Sequence, residues 1–286
     1  MTEALPQPIE SLDDIAGRYA AFFCDVWGVV HNGVAAYPGA AEALRRARRG
    51  GAAVVLVTNA ARHHHEVAAQ LRTIGVPDDA WDRIVTSGDV TRALIGAAPR
   101  RIFHLGQDRA LTLLEGLDVE LVAADDAEAV VCTGLLDDAD TPEIYRPLLE
   151  GFRRRELPFI CANPDIFFER GDRRIWCAGA LARDYEALGG PVQVAGKPHP
   201  PIYEASLAAA SEVKGRTIRA AETLAIGDGV LTDVAGACRQ GIDVLYVSGG
   251  IHASEYAGPL GTGGPRLAAF LQGHDVEPVA VIHELR

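Results

Sequence analysis

The sequence predicts an α/β protein: a Rossmann-like, doubly wound parallel sheet core with an inserted α/β cap domain. Three observations predict it. Short apolar runs alternate with helical patterns along the 286 residues, which is the mark of a mainly parallel sheet. Several of these runs end at a polar residue, at Asp25, Thr58 and Asp228. The middle of the chain, between Thr58 and Lys197, carries strand and helix patterns of its own.

Taken in order, Ala20–Cys24 is a short apolar strand that ends at Asp25, and Gly28 follows within three residues. Gly39–Arg49 is a helix opened by Pro38 and closed by Gly50-Gly51, the usual placement of proline and glycine at helix ends. Ala52–Val57 is rich in β-branched residues and ends at Thr58-Asn59. His63-His64-His65 opens the next helix; neighbouring residues on a helix do not share a face, so they read as exposed polar residues. From Val90 to Pro191, Arg101–Leu105, Ala129–Thr133 and Pro158–Ala162 read as three further strands. Pro200–Glu212 is helical, Thr223–Ile226 is a strand ending at Gly227-Asp228, and Val244–Val247 is a strand ending at Ser248-Gly249-Gly250. Gly258–Pro265 reads as a surface loop; its Gly261-x-Gly263 is a poor dinucleotide signal because no strand immediately precedes it. This order places a core domain at residues 1–89 and 192–286 and a cap domain at 90–191.

Composition narrows the function. Lys and Arg total 27 against 39 Asp and Glu, a formal charge of −12, which argues against a nucleic-acid surface because phosphate backbones need basic patches. The runs Arg45–Arg49 and Arg153–Arg155 sit at predicted helix ends, where they complement the dipole. No apolar run approaches the ~20 residues of a membrane span, and no basic start leads into an apolar stretch. Cys24, Cys132, Cys161, Cys177 and Cys238 are odd in number and widely spaced; buried reduced thiols and a cytoplasmic location are expected.

The polar clusters fall at the carboxyl ends of strands, the edge where open α/β sheets bind ligands. Asp25 is a carboxylate placed to attack phosphorus or carbon, though alone it reads first as a turn or N-cap aspartate. Asp228 and Asp233 lie in Gly-Asp-Gly-Val-Leu-Thr-Asp. If they converge with Asp25, like charges raise one another's pKa unless a cation intervenes; a hard divalent ion answers this, and Mg2+ suits few carboxylates plus phosphate oxygens. Asp233 alone is an ordinary helix N-cap. Thr58-Asn59 offers a hydroxyl, an amide and N–H groups that can hold an anion or simply cap a helix. Lys197, on a tight turn between Gly196 and Pro198, can neutralise a transferred phosphoryl group; a lone lysine is usually solvated.

In this order, the chain resembles the haloacid dehalogenase superfamily, whose four motifs match Asp25, Thr58, Lys197 and Asp228/Asp233. The insertion between the second and third motifs resembles the class II cap. Tyr37-Pro38-Gly39-Ala40, Thr86-Ser87-Gly88-Asp89, Asn163-Pro164-Asp165 and Gly196-Lys197-Pro198 resemble class IIA, the branch of sugar-phosphate, nucleotide and pyridoxal phosphate phosphatases. The resemblance implies that Asp25 is the nucleophile and a Mg2+ ligand. It implies that the backbone carbonyl of Trp27 and Asp228 are further ligands, with Asp233 in support, and that Lys197 is catalytic. Thr58, Asn59 and Lys197 then hold phosphate, and Asn163 and Asp165 lie on a cap loop facing the substrate. A small phosphorylated substrate is implied, with a homodimer paired through the cap as an option.

One position departs from the pattern. Family phosphatases carry an aspartic acid two residues after the nucleophile, where this chain has Trp27. Indole has no usable proton chemistry, and general acid–base help contributes ~10²–10⁴-fold. Three readings follow. The first is a Mg2+-dependent phosphohydrolase working through an aspartyl-phosphate, weak or atypical as a phosphomonoesterase, with its acid absent or supplied by His31 or Asp165. The second is an inactive protein that binds a phosphate ligand or a partner. The third is dehalogenase-like hydrolysis at carbon.

Overall fold

The computed structural model describes residues 6–170, 173–257 and 264–286. Residues 258–263 of the expected Gly258–Pro265 loop lie outside the described residues. Along the chain the strands are β1 (Gln7–Pro8), β2 (Ala21–Cys24), β3 (Ala53–Thr58), β4 (Arg83–Thr86), β5 (Arg101–Leu105), β6 (Glu120–Leu121) and β7 (Ala129–Cys132). They continue with β8 (Phe159–Cys161), β9 (Phe167–Arg170), β10 (Arg173–Trp176), β11 (Val192–Val194), β12 (Thr223–Gly227), β13 (Asp243–Val247) and β14 (Ala280–Ile282).

Two compact units emerge. The first comprises Met1–Thr58, His65–Val85 and Tyr203–Arg286, and the second Asn59–His64 and Thr86–Ile202. The expected boundaries at 89/90 and 191/192 therefore shift to 85/86 and 202/203, and residues 59–64 join the second unit. Hydrogen bonding accounts for the shift. Gly88 N–H donates to the Ala60 carbonyl, the Thr86 hydroxyl to the Arg62 carbonyl, and the Ser87 hydroxyl to the Ala162 carbonyl.

The first unit holds a seven-stranded sheet ordered β1-β14-β13-β12-β2-β3-β4. Its pairings from β1 through to β3 are parallel. Every residue of β2, β3 and β12 is buried, as expected of central parallel strands covered on both faces. That burial also explains why these strands read as continuous apolar runs. The helix Pro38–Arg49 starts with proline in its first turn, and its last-turn arginines face its carboxyl end. Arginines of this helix also pair with acids: Arg46 with Asp13, Arg45 with Asp79 and Arg48 with Asp82.

The second unit holds a parallel sheet ordered β11-β8-β7-β5-β6 and an antiparallel hairpin of β9 and β10. Alternate residues serve opposite faces of the sheet. Val130, Cys132, Phe159 and Cys161 join a cluster with Phe152 and Tyr185, whereas Ala129, Val131 and Ile160 pack with Ile95 and Ile102. Three strands were expected in this stretch. The short β6 and β11 and the hairpin add to them, and their brevity left little periodic signal.

Two smaller expectations need correction. Cys24, Cys132, Cys161 and Cys177 are buried free thiols, but Cys238 is exposed. The helix after Thr58 begins at His64; His64 and His65 are exposed, whereas His63 is half-buried, and Asp89 lies against both His63 and His64. Among the described residues no helix is long and apolar enough to cross a membrane.

Candidate active site

Parallel register brings the first group together. Cys24 pairs with Ile226 on one side and Leu56 on the other, so Asp25, Asp228 and Thr58 all follow the same edge of the first sheet. Carboxylate oxygens of Asp25, Asp228 and Asp233 lie within 4.8 Å of one another. Asp228, Asp233 and Thr58 are buried; Asp25 is half-buried.

Backbone fixes Asp25 through its own N–H and holds the carboxylates of Asp228 and Asp233 directly. Asp25 N–H donates to the Ile226 carbonyl, 2.8 Å. Asp228 Oδ2 accepts from Ile251 N–H at 2.8 Å, and it is flanked by two glycines. A Cβ at Gly28 or at Gly250 would come 2.1 Å from that same oxygen. Gly28 also has φ +82°, a conformation side chains resist. Asp233 Oδ2 accepts from Gly229 N–H at 3.0 Å, and a Cβ at Gly227 would come 2.2 Å from its Cγ. Asp233 sits within a π-helical turn, Val230–Val234, rather than at the ordinary N-cap that its spacing suggests. Wide turns of this kind recur at functional sites because they redirect one side chain.

Three buried or half-buried carboxylates so close together repel one another in a medium of low dielectric. Their oxygens are hard donors, two of the three held by backbone N–H groups, and such a donor set fits a hard divalent cation.

Trp27 and His31 belong to the loop that follows Asp25. Gly28 N–H donates to the His31 carbonyl, and His31 N–H to the Val26 carbonyl. Gly33 N–H donates to His31 Nδ1 at 2.8 Å, which leaves Nε2 as the protonated nitrogen of the neutral ring. Burial pushes the His31 pKa down, so the ring is neutral at neutral pH. The indole of Trp27 meets the imidazole edge-on, centroids 5.3 Å apart, and remains 59% exposed.

The remaining sequence candidates lie in the second unit and form a group of their own. Asn59 Oδ1 accepts from Lys197 N–H at 2.7 Å. Its Nδ2 donates to the Lys197 carbonyl at 3.1 Å and to Asp165 Oδ1 at 3.2 Å. Asn59 thus clamps the backbone at Lys197, whose side chain is buried and which precedes a cis proline. Asn163 Oδ1 accepts from Asp165 N–H at 2.9 Å, closing an Asx-type turn. Gly179 and Gly196 admit this loop: a Cβ at either would strike Pro164. Asn163 also lines a cavity of about 120 Å³ with Gln107, Arg109, Thr133 and Trp176.

Sequence reasoning passed over the three glycines that seat the carboxylates and the Asn59 clamp. Gly28 and Gly227 flank the acids in sequence and were visible as turn residues; Gly250 had only its position after a strand.

Comparison with known proteins adds the following. Residues 22–120 match the family described as haloacid dehalogenase-like hydrolase, and residues 194–262 match a second family of HAD-hydrolase-like sequences. A hydrolase of the haloacid dehalogenase-like family from Brucella suis 1330 is 54% identical, with TM-score 0.82, covering 97% of this chain and all of that one (100%). A glycerol phosphate phosphatase from Mycobacterium tuberculosis, solved with calcium, is 25% identical with TM-score 0.65, covering 85% of this chain and 70% of that one. Human chronophin is 28% identical over 272 residues, 86% of this chain and 87% of its own length.

Proposed function

The chain belongs to the haloacid dehalogenase-like hydrolase family, and we propose that it is a Mg2+-dependent phosphohydrolase of small phosphorylated metabolites, restricted in leaving group by Trp27. The observation that carries this reading is the cluster of Asp25, Asp228 and Asp233, with carboxylate oxygens within 4.8 Å at one sheet edge. The similarity to a glycerol phosphate phosphatase solved with calcium supports both the phosphate and a divalent ion.

In this reading Asp25, Asp228 and the Trp27 carbonyl hold the ion, with Asp233 in support. When bound, the ion supplies positive charge against the carboxylates and the phosphoryl oxygens. Asp25 is the nucleophile: its oxygen bonds to phosphorus as the bond to the leaving oxygen breaks. Water then attacks phosphorus, freeing inorganic phosphate and restoring the Asp25 carboxylate. Thr58, Asn59 and Lys197 are proposed to grip the phosphate, with Lys197 supplying the cationic charge. Asn163 and Asp165 are proposed as part of a cap that sets substrate choice, and a homodimer paired through that cap remains part of the proposal. Neither expected substitute acid is well suited. His31 has its Nδ1 engaged by Gly33 and its ring against Trp27, and Asp165 accepts from Asn59.

A screen of phosphorylated metabolites and synthetic phosphate esters with Mg2+ tests the reading. Turnover that needs Mg2+ and disappears in Asp25→Asn is expected. Turnover equal in wild type and Asp25→Asn, or none with any phosphate compound, overturns it. Trp27 at the usual acid position favours one competing reading, a phosphate-binding protein without turnover. In that case inorganic phosphate plus Mg2+ would raise the melting temperature while every hydrolysis assay stayed flat.

A further inference from the structure

The strand order of the first sheet has a counterpart in the second. In the first sheet the chain runs from β2 outward to β3 and β4, and β12 returns on the opposite side of β2. Asp25 and Asp228 follow these two strands, at the point where strand order reverses and open α/β sheets hold their ligands. In the second sheet β5 is followed outward by β6, and β7 returns on the opposite side of β5. The loops after β5 and β7 should then frame a crevice of their own. They do so: residues 106–109 and 136–138 line a recess of about 550 Å³, within the ~300–1,000 Å³ of small-molecule sites. The cavity of about 120 Å³ shares Gln107, Arg109 and Asp138 with it and adds Thr133, Leu135 and Trp176.

The two loops meet closely. A Cβ at Gly106 would come 2.1 Å from Thr133 Oγ1, and that hydroxyl meets His104 Nε2 at 2.8 Å. Gln107 Nε2 donates to Asp138 Oδ1 at 2.7 Å, which orients the carboxylate. Arg109 approaches the same oxygen only to 3.6 Å, beyond hydrogen-bond length. Opposite charges thus stand side by side without being joined. Asp108 and Asp137 give the recess an excess of negative charge over Arg109. A ligand with only a carboxylate meets that excess, and one with only an amine leaves the guanidinium unused. A small molecule with both groups satisfies both, its carboxylate on the Arg109 fork and its ammonium on Asp138. Leu135 and Trp176 offer an apolar wall to the rest of it. We infer that the second unit binds a free α-amino acid in the crevice between β5 and β7. This site is built from second-unit residues alone and does not depend on the phosphohydrolase reading.

Isothermal titration calorimetry of the full chain, without Mg2+ or phosphate, against each standard amino acid provides the test. Any amino acid that binds is compared with its decarboxylated amine and its deaminated acid. At least one amino acid is expected to bind with a dissociation constant below ~1 mM and to raise the melting temperature. Its amine and its acid should each bind about 10-fold more weakly, the scale of one hydrogen bond to a charged group. Arg109→Gln and Asp138→Asn should each weaken binding about 10-fold on the same scale. Arg109→Lys, which keeps the charge but not the fork, recovers part of the loss. No heat and no melting shift with any amino acid overturns the proposal, as does equal binding of an analogue with one charged group. Binding that survives both Arg109→Gln and Asp138→Asn, or that vanishes in Asp25→Asn, places the ligand elsewhere and overturns it too. Melting of each variant without ligand shows whether it folds; where one does not, the wild-type ranking of amino acid over its two analogues decides.

Discussion

Gly28 and Asp228 are in such close approach that no side chain fits between them: a Cβ at position 28 would lie 2.1 Å from Asp228 Oδ2. The metal-ligand arrangement proposed for Asp228 therefore depends on a glycine on a different strand's exit loop. Gly28→Ala must either push Asp228 off the Ile251 N–H or distort a backbone at φ +82°. The expected cost is about 1–3 kcal/mol, read as a lower denaturation midpoint, together with a weaker thermal response to Mg2+. An unaltered midpoint and Mg2+ response would show that the seat is slack.

Repulsion within the carboxylate cluster predicts opposite effects of one substitution with and without ion. Mg2+ at 100 times its dissociation constant should stabilise the wild type by about 2.7 kcal/mol. Asp25→Asn removes one charge, so the metal-free protein should melt higher than the metal-free wild type while gaining less from Mg2+. Differential scanning calorimetry with EDTA and with Mg2+ separates the two effects.

Trp27→Asp restores a proton donor and acceptor two residues after Asp25. Alkyl phosphates, which need the proton most, should gain ~10²–10⁴-fold in kcat/KM, with little gain for phenols of low pKa. Steady-state kinetics across both classes reads this out, and a uniform gain would point to a change in binding.

Asn59 both donates and accepts around Lys197 and Asp165. Asn59→Asp keeps the acceptor for Lys197 N–H but turns its donors into a charge facing the Asp165 carboxylate. A loss of about 1–3 kcal/mol is expected. Adding Asp165→Asn should recover part of it in a double-mutant cycle. Strictly additive losses would mean that the two side chains do not interact.

His104 is pushed below its ordinary pKa by burial, against a smaller opposing pull from Asp108, and its Nε2 meets the Thr133 hydroxyl at 2.8 Å. The folded state therefore holds this proton less readily than the unfolded chain. Its contribution is present above the unfolded value near ~6.5 and is lost as pH falls from there to the folded value. In His104→Gln, urea-melt stability should fall less between neutral and mildly acidic pH than in wild type; an equal slope would place the titration elsewhere.

Much of the architecture could be read from the chain because it is local. Buried parallel strands are continuous apolar runs, and those ending at Asp25, Thr58 and Asp228 are β2, β3 and β12, neighbours in the sheet. Less could be read where a residue's role depends on a distant partner. The Asn59 clamp joins positions 59, 165 and 197, and nothing near Asn59 in the sequence distinguishes it from a helix cap. Gly250 gave only a turn signal, because the carboxylate it makes room for lies on another loop.

Hydrophobic periodicity and the order of polar clusters, both properties of neighbouring residues, were enough for the α/β class and the sheet edge that bears the acids, and the departure at Trp27 stood out only against the family that the motifs resemble. Which backbone group holds Asp228, how the three acids converge and what holds Lys197 arose only when remote segments packed together. Steric exclusion and hydrogen bonding act through space, and separation along the chain carries no record of them.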